Sequence, residues 1–218
     1  MINVLLTDDH ALVRTGIRRL LEDSGQIRII DEAESGEECI EKARQLNPDV
    51  ILMDVNMPGM GGLEASRRIL LHEPEQKIII LTVHAEQNYP KRLLEIGARG
   101  YLTKECQLDE MLLAIRKVHE GGSYIEPKIA QKLALSMLPG NDSNLMDRLS
   151  QREFQVLLMV AHGLPNTEIS KKLCLSPKTI STYRSRLMEK LEAGNEFDLV
   201  RIAVEYGLVD FAQNTSGE

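Results

Sequence analysis

Ile2-Asn3-Val4-Leu5-Leu6-Thr7-Asp8-Asp9 is an apolar run that stops on two adjacent carboxylates, and the same event recurs along the chain. Val50-Ile51-Leu52-Met53 stops on Asp54, Ile78-Ile79-Ile80-Leu81 stops on Thr82, and the weaker run Gly100-Tyr101-Leu102 leads to Lys104. Short, nearly continuous apolar runs of this kind read as strands covered on both faces, the habit of a parallel sheet. Parallel strands share a direction, so residues just past their carboxyl ends meet in one crevice. Three carboxylates, a hydroxyl and an ammonium are therefore expected to converge.

Taken singly, these residues have ordinary explanations. Asp8 and Asp9 suit the cap of a following helix, Asp54 suits a turn before Pro58, and Lys104 suits a solvated surface. Capping requires neither two adjacent aspartates after one strand nor a third after another, so the set as a whole points to chemistry. Hard carboxylate oxygens hold a divalent cation such as Mg²⁺, one carboxylate can act as a nucleophile, and Lys and Thr can bind added phosphoryl oxygens. The pattern predicts a phosphorylation switch.

Between the runs lie segments of helical period: Ala11–Glu22, Glu37–Gln45, Leu63–Leu71, Tyr89–Ile96 and Leu108–Glu120, with a further weak strand at Ile27–Ile30. Leu12, Ile17, Leu20 and Leu21 are expected to form the inner face of the first helix. Five βα units in succession predict a doubly wound α/β domain. The glycine-rich turn Met57-Pro58-Gly59-Met60-Gly61-Gly62 lets backbone pass close to Asp54.

At 218 residues the chain is long enough for two domains with separate cores. It has no hydrophobic stretch of membrane-spanning length and no visible secretory signal, so a cytoplasmic protein with no membrane partner is expected. Cys39, Cys106 and Cys174 are odd in number and lack metal-ligand spacing, which suits reduced thiols without assigned chemistry. Residues 1–125 carry 15 Lys and Arg against 21 Asp and Glu, but residues 166–190 carry six cations against two anions. A basic stripe within a chain of net charge −7 favours a polyanion at that one surface.

Past Gly121-Gly122 the pattern changes. Ile129, Leu133, Leu135 and Leu138 suggest one amphipathic helix, followed by the polar, breaker-rich segment Pro139–Asn144. From Leu149 onward no strand signal remains. Ser150 and Glu153 have capping-box spacing for a helix that ends at Gly163. A short helix from Thr167 to Leu173 and a turn through Cys174-Leu175-Ser176 lead to a longer helix, with Ser176 as cap and Pro177 at its first position. A last helix, Phe197–Tyr206, stops at Gly207, and its Leu199, Ile202, Ala203 and Tyr206 are candidates for a dimer seam. Two helices joined by a short turn, the second polar on one face, form the helix-turn-helix pattern.

On that second helix Ile180, Leu187 and Leu191, with Tyr183 alongside, should face the domain. Lys178, Ser181, Thr182, Ser185 and Glu189 share the opposite stripe. Hydroxyls there suit base edges in a major groove, and Lys178, Arg184 and Arg186 suit phosphates.

These motifs carry a resemblance. The first domain resembles the receiver domain of two-component response regulators. Leu149-Ser150-Gln151-Arg152-Glu153 through Ser176-Pro177-Lys178-Thr179-Ile180 resembles a LuxR-type helix-turn-helix, and the whole is similar to the NarL/FixJ class. The opening through Thr7-Asp8-Asp9-His10, with Val13-Arg14-Thr15-Gly16-Ile17-Arg18, and the run Leu81-Thr82-Val83-His84 resemble GacA/UvrY/LetA-type regulators. The resemblance implies a flavodoxin-like, five-stranded parallel sheet of order 2-1-3-4-5, followed by an all-α DNA-binding domain. It implies a receiver over residues 1–122, a linker with an amphipathic helix over 123–148, the helix-turn-helix domain over 149–210 and a tail over 211–218.

Function follows from the same resemblance. Asp54 would accept a phosphoryl group from a sensor histidine kinase, of hybrid type if the subgroup holds. Asp8, Asp9, Asp54 and the Asn56 carbonyl would hold Mg²⁺, Thr82 and Lys104 would hold phosphoryl oxygens, and Tyr101 would be the aromatic switch. The phosphorylated chain would bind promoter DNA as a homodimer, through Lys178, Thr179, Ser181, Thr182, Arg184, Ser185 and Arg186. The chain would regulate transcription, including that of small regulatory RNA genes, and would not be an enzyme. His10 and His84 flank the crevice and receive no chemical role.

Two residues depart from the family pattern. Glu105 follows Lys104 where many receivers have a cis proline, and a non-proline cis peptide costs roughly 2.5–4 kcal/mol. Val83 stands where a smaller residue is usual, which narrows access to the phosphoryl group and should slow its hydrolysis. Two other classes stay in view. An aspartyl-phosphate phosphatase usually carries a second Asp two residues after the first, where this chain has Asn56. A receiver acting by protein contacts alone would use the C-terminal helices only for dimerisation, and DNA affinity that falls steeply with salt separates that case.

Overall fold

In a computed structural model of the chain, residues 1–83, 94–136, 145–206 and 208–209 are described. Described residues up to Ala134 belong to one compact unit and those from Leu135 onward to a second. No helix among the described residues is long and apolar enough to cross a membrane.

The first unit is built on six parallel strands: β1 (Ile2–Thr7), β2 (Ile27–Ala33), β3 (Val50–Asp54), β4 (Ile78–Thr82), β5 (Gly100–Thr103) and β6 (Tyr124–Ile125). Their spatial order is β2-β1-β3-β4-β5-β6, the expected doubly wound order with one strand added at the edge. Every residue of β3 and β4 is buried, which is why those segments read as uninterrupted apolar runs. Helices α1 (Ala11–Asp23), α2 (Gly36–Leu46), α3 (Gly61–His72) and α4 (Leu108–His119) connect the strands, and the helix expected at Tyr89–Ile96 lies mostly outside the described residues. Val4, Leu6, Leu52, Ile79, Leu81 and Ile115 lie in the main core.

Two sequence expectations need correction here. The inner face of α1 is Arg14, Ile17 and Leu21, whereas Leu12 is 85 % exposed and Leu20 is 52 % exposed. The helix takes the i, i+3, i+7 register that brings an arginine inward, because the carboxylates of Glu32 and Glu34 and the Asp8 backbone carbonyl accept its hydrogens there. The stretch read as linker, 123–148, begins inside the first unit. Tyr124 N–H bonds the Arg99 carbonyl at 2.9 Å, Glu126 N–H bonds the Tyr101 carbonyl at 3.0 Å, and helix α5 (Pro127–Ser136) buries Ile129 completely. Glu126 adds a fastening: its carboxylate accepts Thr103 N–H at 2.7 Å and Thr103 Oγ1–H at 2.8 Å. Leu138 and the Pro139–Asn144 segment lie outside the described residues.

The second unit is helical. After a 3-10 turn at Leu145–Arg148 come α6 (Gln151–Ala161), α7 (Asn166–Leu173), α8 (Pro177–Lys190) and α9 (Glu196–Glu205). Ser150 and Glu153 close the capping box of α6, and the Ser176 side chain accepts Thr179 N–H at the start of α8. Phe154, Leu157, Ile169, Ile180, Leu187 and Leu199 form its core. The proposed seam on α9 is thereby corrected: Leu199, Ile202 and Ala203 are buried within their own unit, and the exposed aromatic of that helix is Phe197.

Candidate metal centre and nucleic-acid interface

Strand register explains why the acidic residues meet. Thr7 of β1 pairs with Met53 of β3, so Asp8 emerges level with Asp54. Asp54 pairs with Leu81, which sets Thr82 one residue further along β4. Thr82 pairs with Thr103, and Lys104 follows at once, its N–H bonding the Thr82 carbonyl at 2.7 Å. The peptide before Glu105 is trans, since no cis peptide occurs among the described residues. Lys104 nonetheless turns its ammonium onto the carboxylates, 2.8 Å from Asp54 Oδ2 and 2.5 Å from Asp8 Oδ2.

Asp8 and Asp54 are fully buried, and Asp9 is partly exposed. Carboxylate oxygens of Asp8, Asp9 and Asp54 and a ring nitrogen of His10 all lie within 4.8 Å of one another. His10 Nδ1 sits 2.9 Å from Asp9 Oδ1 and 3.3 Å from Asp8 Oδ1, so the histidine borders the pocket. Asp54 Oδ1 accepts Asn56 N–H at 3.0 Å and Asp8 Oδ1 accepts His10 N–H at 2.9 Å, which fixes both carboxylates on their loops. Burial pushes the Asp54 carboxyl up to about 6; the Lys104 ammonium opposes this, and the Asp8 charge adds to it. Desolvation works to lower the Lys104 ammonium, but Asp54 and Asp8 outweigh it and hold the group above its ordinary value.

Backbone packs tightly around this pocket. A Cβ on Gly62 would lie 1.9 Å from the Asp54 carbonyl oxygen, so only glycine lets α3 begin there. Tyr101 is buried, which raises its phenol; its hydroxyl faces the Thr82 side chain without closing a hydrogen bond of good geometry. Val83 is half-buried, and His84 lies outside the described residues.

In the second unit α8 turns Ile180, Leu187 and Leu191 inward, with Tyr183 half-buried beside them. Lys178, Ser181, Thr182, Ser185, Arg186 and Glu189 are exposed, and Thr179 is half-buried. The hydroxyls of Ser181, Thr182 and Ser185 each donate to the carbonyl four residues back, at 3.1, 3.0 and 3.1 Å. Arg184 does not share the outward face. Its side chain is 13 % exposed, donates to the Leu164 carbonyl at 3.0 Å and pairs with Glu196. Lys190 is likewise committed, to Glu153 at 2.7 Å and the Arg148 carbonyl at 3.1 Å. Burial works to raise the Glu153 carboxyl, but Lys190 and the Ser150 cap overcome it and hold the group below its ordinary value. Lys171, Lys178 and Arg186 remain the exposed cations of α7 and α8.

Residues 4–116 match the response regulator receiver domain, and residues 147–203 match the bacterial regulatory proteins of the luxR family. The chain is a two-component response regulator with a LuxR-type DNA-binding domain. It is 50% identical over 213 residues to the response regulator GacA of Pseudomonas aeruginosa, a match covering 97% of this chain and 100% of that protein. It is 46% identical over 209 residues to the response regulator UvrY of Escherichia coli, covering 95% and 96%. Among solved structures, RcsB of Salmonella enterica serovar Typhimurium, bound to promoter P1flhDC in the presence of phosphomimetic BeF3−, superposes with a TM-score of 0.72 at 28% identity, covering 94% of this chain and 97% of that one. The regulator thus joins a receiver, whose class implies a histidine kinase partner, to a DNA-binding module.

Sequence reasoning passed over three residues of this response regulator. In the sequence Arg14 stands out only as part of a motif, yet it is buried and bonds the Asp8 carbonyl. His10 was given no partner, yet it stands against Asp8 and Asp9. Glu126 lay in presumed linker. Arg14 could have been found from its spacing of three from Ile17 together with the acidic pair Asp31-Glu32 on the next strand; the other two depend on tertiary proximity.

Proposed function

We propose that this regulator is switched by phosphorylation of Asp54 by a sensor histidine kinase of hybrid type, and that the phosphorylated chain binds promoter DNA as a homodimer to control transcription. The observation that carries this reading is the convergence of Asp8, Asp9 and Asp54 in a buried pocket, with the Lys104 ammonium 2.8 Å from Asp54 and the end of β4 beside it. An Asp54 oxygen attacks the phosphorus of the kinase phosphohistidine; the N–P bond breaks and imidazole leaves. With its carboxyl near 6, Asp54 is mostly ionised above pH 7, as a nucleophile must be.

The donor set fits Mg²⁺. Asp8 Oδ2 and Asp9 Oδ1 are buried and lie against the Lys104 ammonium and the His10 ring nitrogen, without hydrogen bonds of good geometry. Asp8, Asp9, Asp54 and the Asn56 carbonyl would hold the ion, which when bound offsets charge on the transferring oxygens. Lys104 and Thr82 hold the added phosphoryl oxygens, and Tyr101 answers movement of Thr82 beside it. On the DNA side Lys178 and Arg186 meet phosphates, while Thr179, Ser181, Thr182 and Ser185 face base edges. Arg184 braces α8 instead.

Incubating the protein with a small phosphodonor and Mg²⁺ tests the reading. A mass gain of one phosphoryl group, absent in a folded Asp54→Asn variant and accompanied by tighter promoter binding, supports it. Labelling retained in Asp54→Asn overturns the acceptor assignment.

A further inference from the structure

Arg14 is the one arginine among the described residues that is buried. Its guanidinium serves three acceptors: Nη1 donates to the Asp8 carbonyl at 2.6 Å, Nε to Glu32 Oε2 at 3.2 Å, and Nη2 to the Glu34 carboxylate. The Asp8 carbonyl lies past the last residue of β1 and ahead of α1, whose first bond runs from Arg14 N–H to the carbonyl of the cap residue His10 at 3.0 Å. Asp8 N–H is held from the other side by the Ala33 carbonyl of β2 at 3.1 Å. Both peptide groups flanking the Asp8 side chain are therefore pinned, one by the sheet and one by Arg14.

We infer that Arg14 is a positioning residue for the acidic pocket, holding the β1–α1 turn so that Asp8 and Asp9 present their carboxylates together. The inference rests on the reading of that pocket as a divalent-cation site. Arg14 touches neither the cation nor the phosphoryl group. A planar fork can satisfy a backbone carbonyl and two carboxylates in different directions, which a lysine ammonium on a single stem cannot reproduce. Without the fork, the buried Asp8 carbonyl has lost its donor and the peptide turns to find another. Asp8 Oδ1 is bonded to His10 N–H, so a turned peptide swings the carboxylate, and Asp9 with it. Residues that orient ligands in this way set metal affinity as ligands do.

Arg18 supplies the control. It bonds Glu32 at 2.8 Å and pairs with Glu22, sharing the surface network with Arg14, but the contacts of its guanidinium do not include the Asp8 turn. The test is calorimetric titration of the full-length protein with Mg²⁺, beside thermal melting in chelator, for the parent, Arg14→Gln, Arg14→Lys and Arg18→Gln. Both Arg14 variants should bind Mg²⁺ roughly tenfold to a hundredfold more weakly, with labelling by phosphodonor recovered at raised Mg²⁺. Arg18→Gln should keep the parental affinity whatever its melting temperature. A folded Arg14→Lys that binds within about twofold of the parent overturns the inference, as does an Arg18→Gln that weakens Mg²⁺ equally. If neither Arg14 variant folds, the residue supports the fold as a whole and the inference also falls. A parent that binds no Mg²⁺ refutes the metal reading itself, which separates that failure from this one.

Discussion

Replacing Asp54 by Asn should stabilise the metal-free protein while abolishing its phosphorylation. Burial raises the Asp54 carboxyl from 3.8 to about 6. Because the folded-state value lies above the unfolded one, proton binding favours the fold. That contribution is full below about pH 4 and is lost as pH rises through about 6. A shift of about two units corresponds to about 3 kcal/mol, at 1.36 kcal/mol per unit. An amide stands in for the neutral acid at every pH. In chelator at pH 8 the variant should therefore exceed the parent by up to about 3 kcal/mol, and the gap should narrow to roughly half that by pH 5 as the parent takes up its proton. Lys104 still has Asp8 in the variant, so it is not left alone in the pocket. Urea unfolding of both proteins from pH 5 to 8 measures the gap, and carboxylates elsewhere cancel in the difference. Saturating Mg²⁺ should shrink the gap by stabilising the parent, by about 2.7 kcal/mol at a hundredfold excess over its dissociation constant. A gap that is absent at pH 8, or that stays constant from pH 8 to 5, refutes the reasoning.

Three further outcomes are expected. Lys178→Ala should weaken binding to all DNA sequences and reduce the slope of log affinity against log salt by about one, whereas Thr182→Ala should alter preference at particular base positions by roughly 1–3 kcal/mol or less; titrations on a panel of single-base operator variants tell them apart. Gly62→Ala must push the start of α3 off the Asp54 carbonyl, at a cost of about 3 kcal/mol, and urea unfolding within about 0.5 kcal/mol of the parent would contradict the packing described. A receiver fragment ending at Gly122 loses the Glu126 carboxylate from Thr103 and the burial of Ile129, so it should melt several degrees below one ending at Ser136, a shift of roughly 4 °C per kcal/mol lost.

What could be read in the sequence was what burial writes into it. Strands β3 and β4 are covered on both faces, so their residues are apolar without interruption and the polar groups ending them stand out. The caps at Ser150 and Ser176 were legible because a cap is a local bond, closed within three residues. Arg14 was not, since an arginine is buried only where distant carboxylates and a carbonyl offset its desolvation. Leu12 and Leu20 drew the apolar face of α1 to the wrong side for the same reason. Strand β6 has two residues, too few for any period to show. Charge alone could not say that Arg184 and Lys190 fold back on their own domain while Lys178 and Arg186 point out, because a long stem reaches either way.

The hydroxyls along α8 have a polarity that their side-chain identities conceal. Ser181, Thr182 and Ser185 have each given their single hydrogen to the helix backbone, so their oxygens keep lone pairs alone, and that of Ser181 already accepts Asn166 Nδ2–H at 3.3 Å. Such an oxygen can receive a hydrogen from the N6 amino group of adenine or the N4 amino group of cytosine. Against O6 or N7 of guanine, or O4 of thymine, it offers only repulsion unless the hydroxyl rotates and leaves its carbonyl behind. If α8 faces base edges as proposed, Thr182 and Ser185, side chains usually regarded as donors and acceptors at once, would act in one sense only, and an operator in register with them would place amino-bearing bases beneath them.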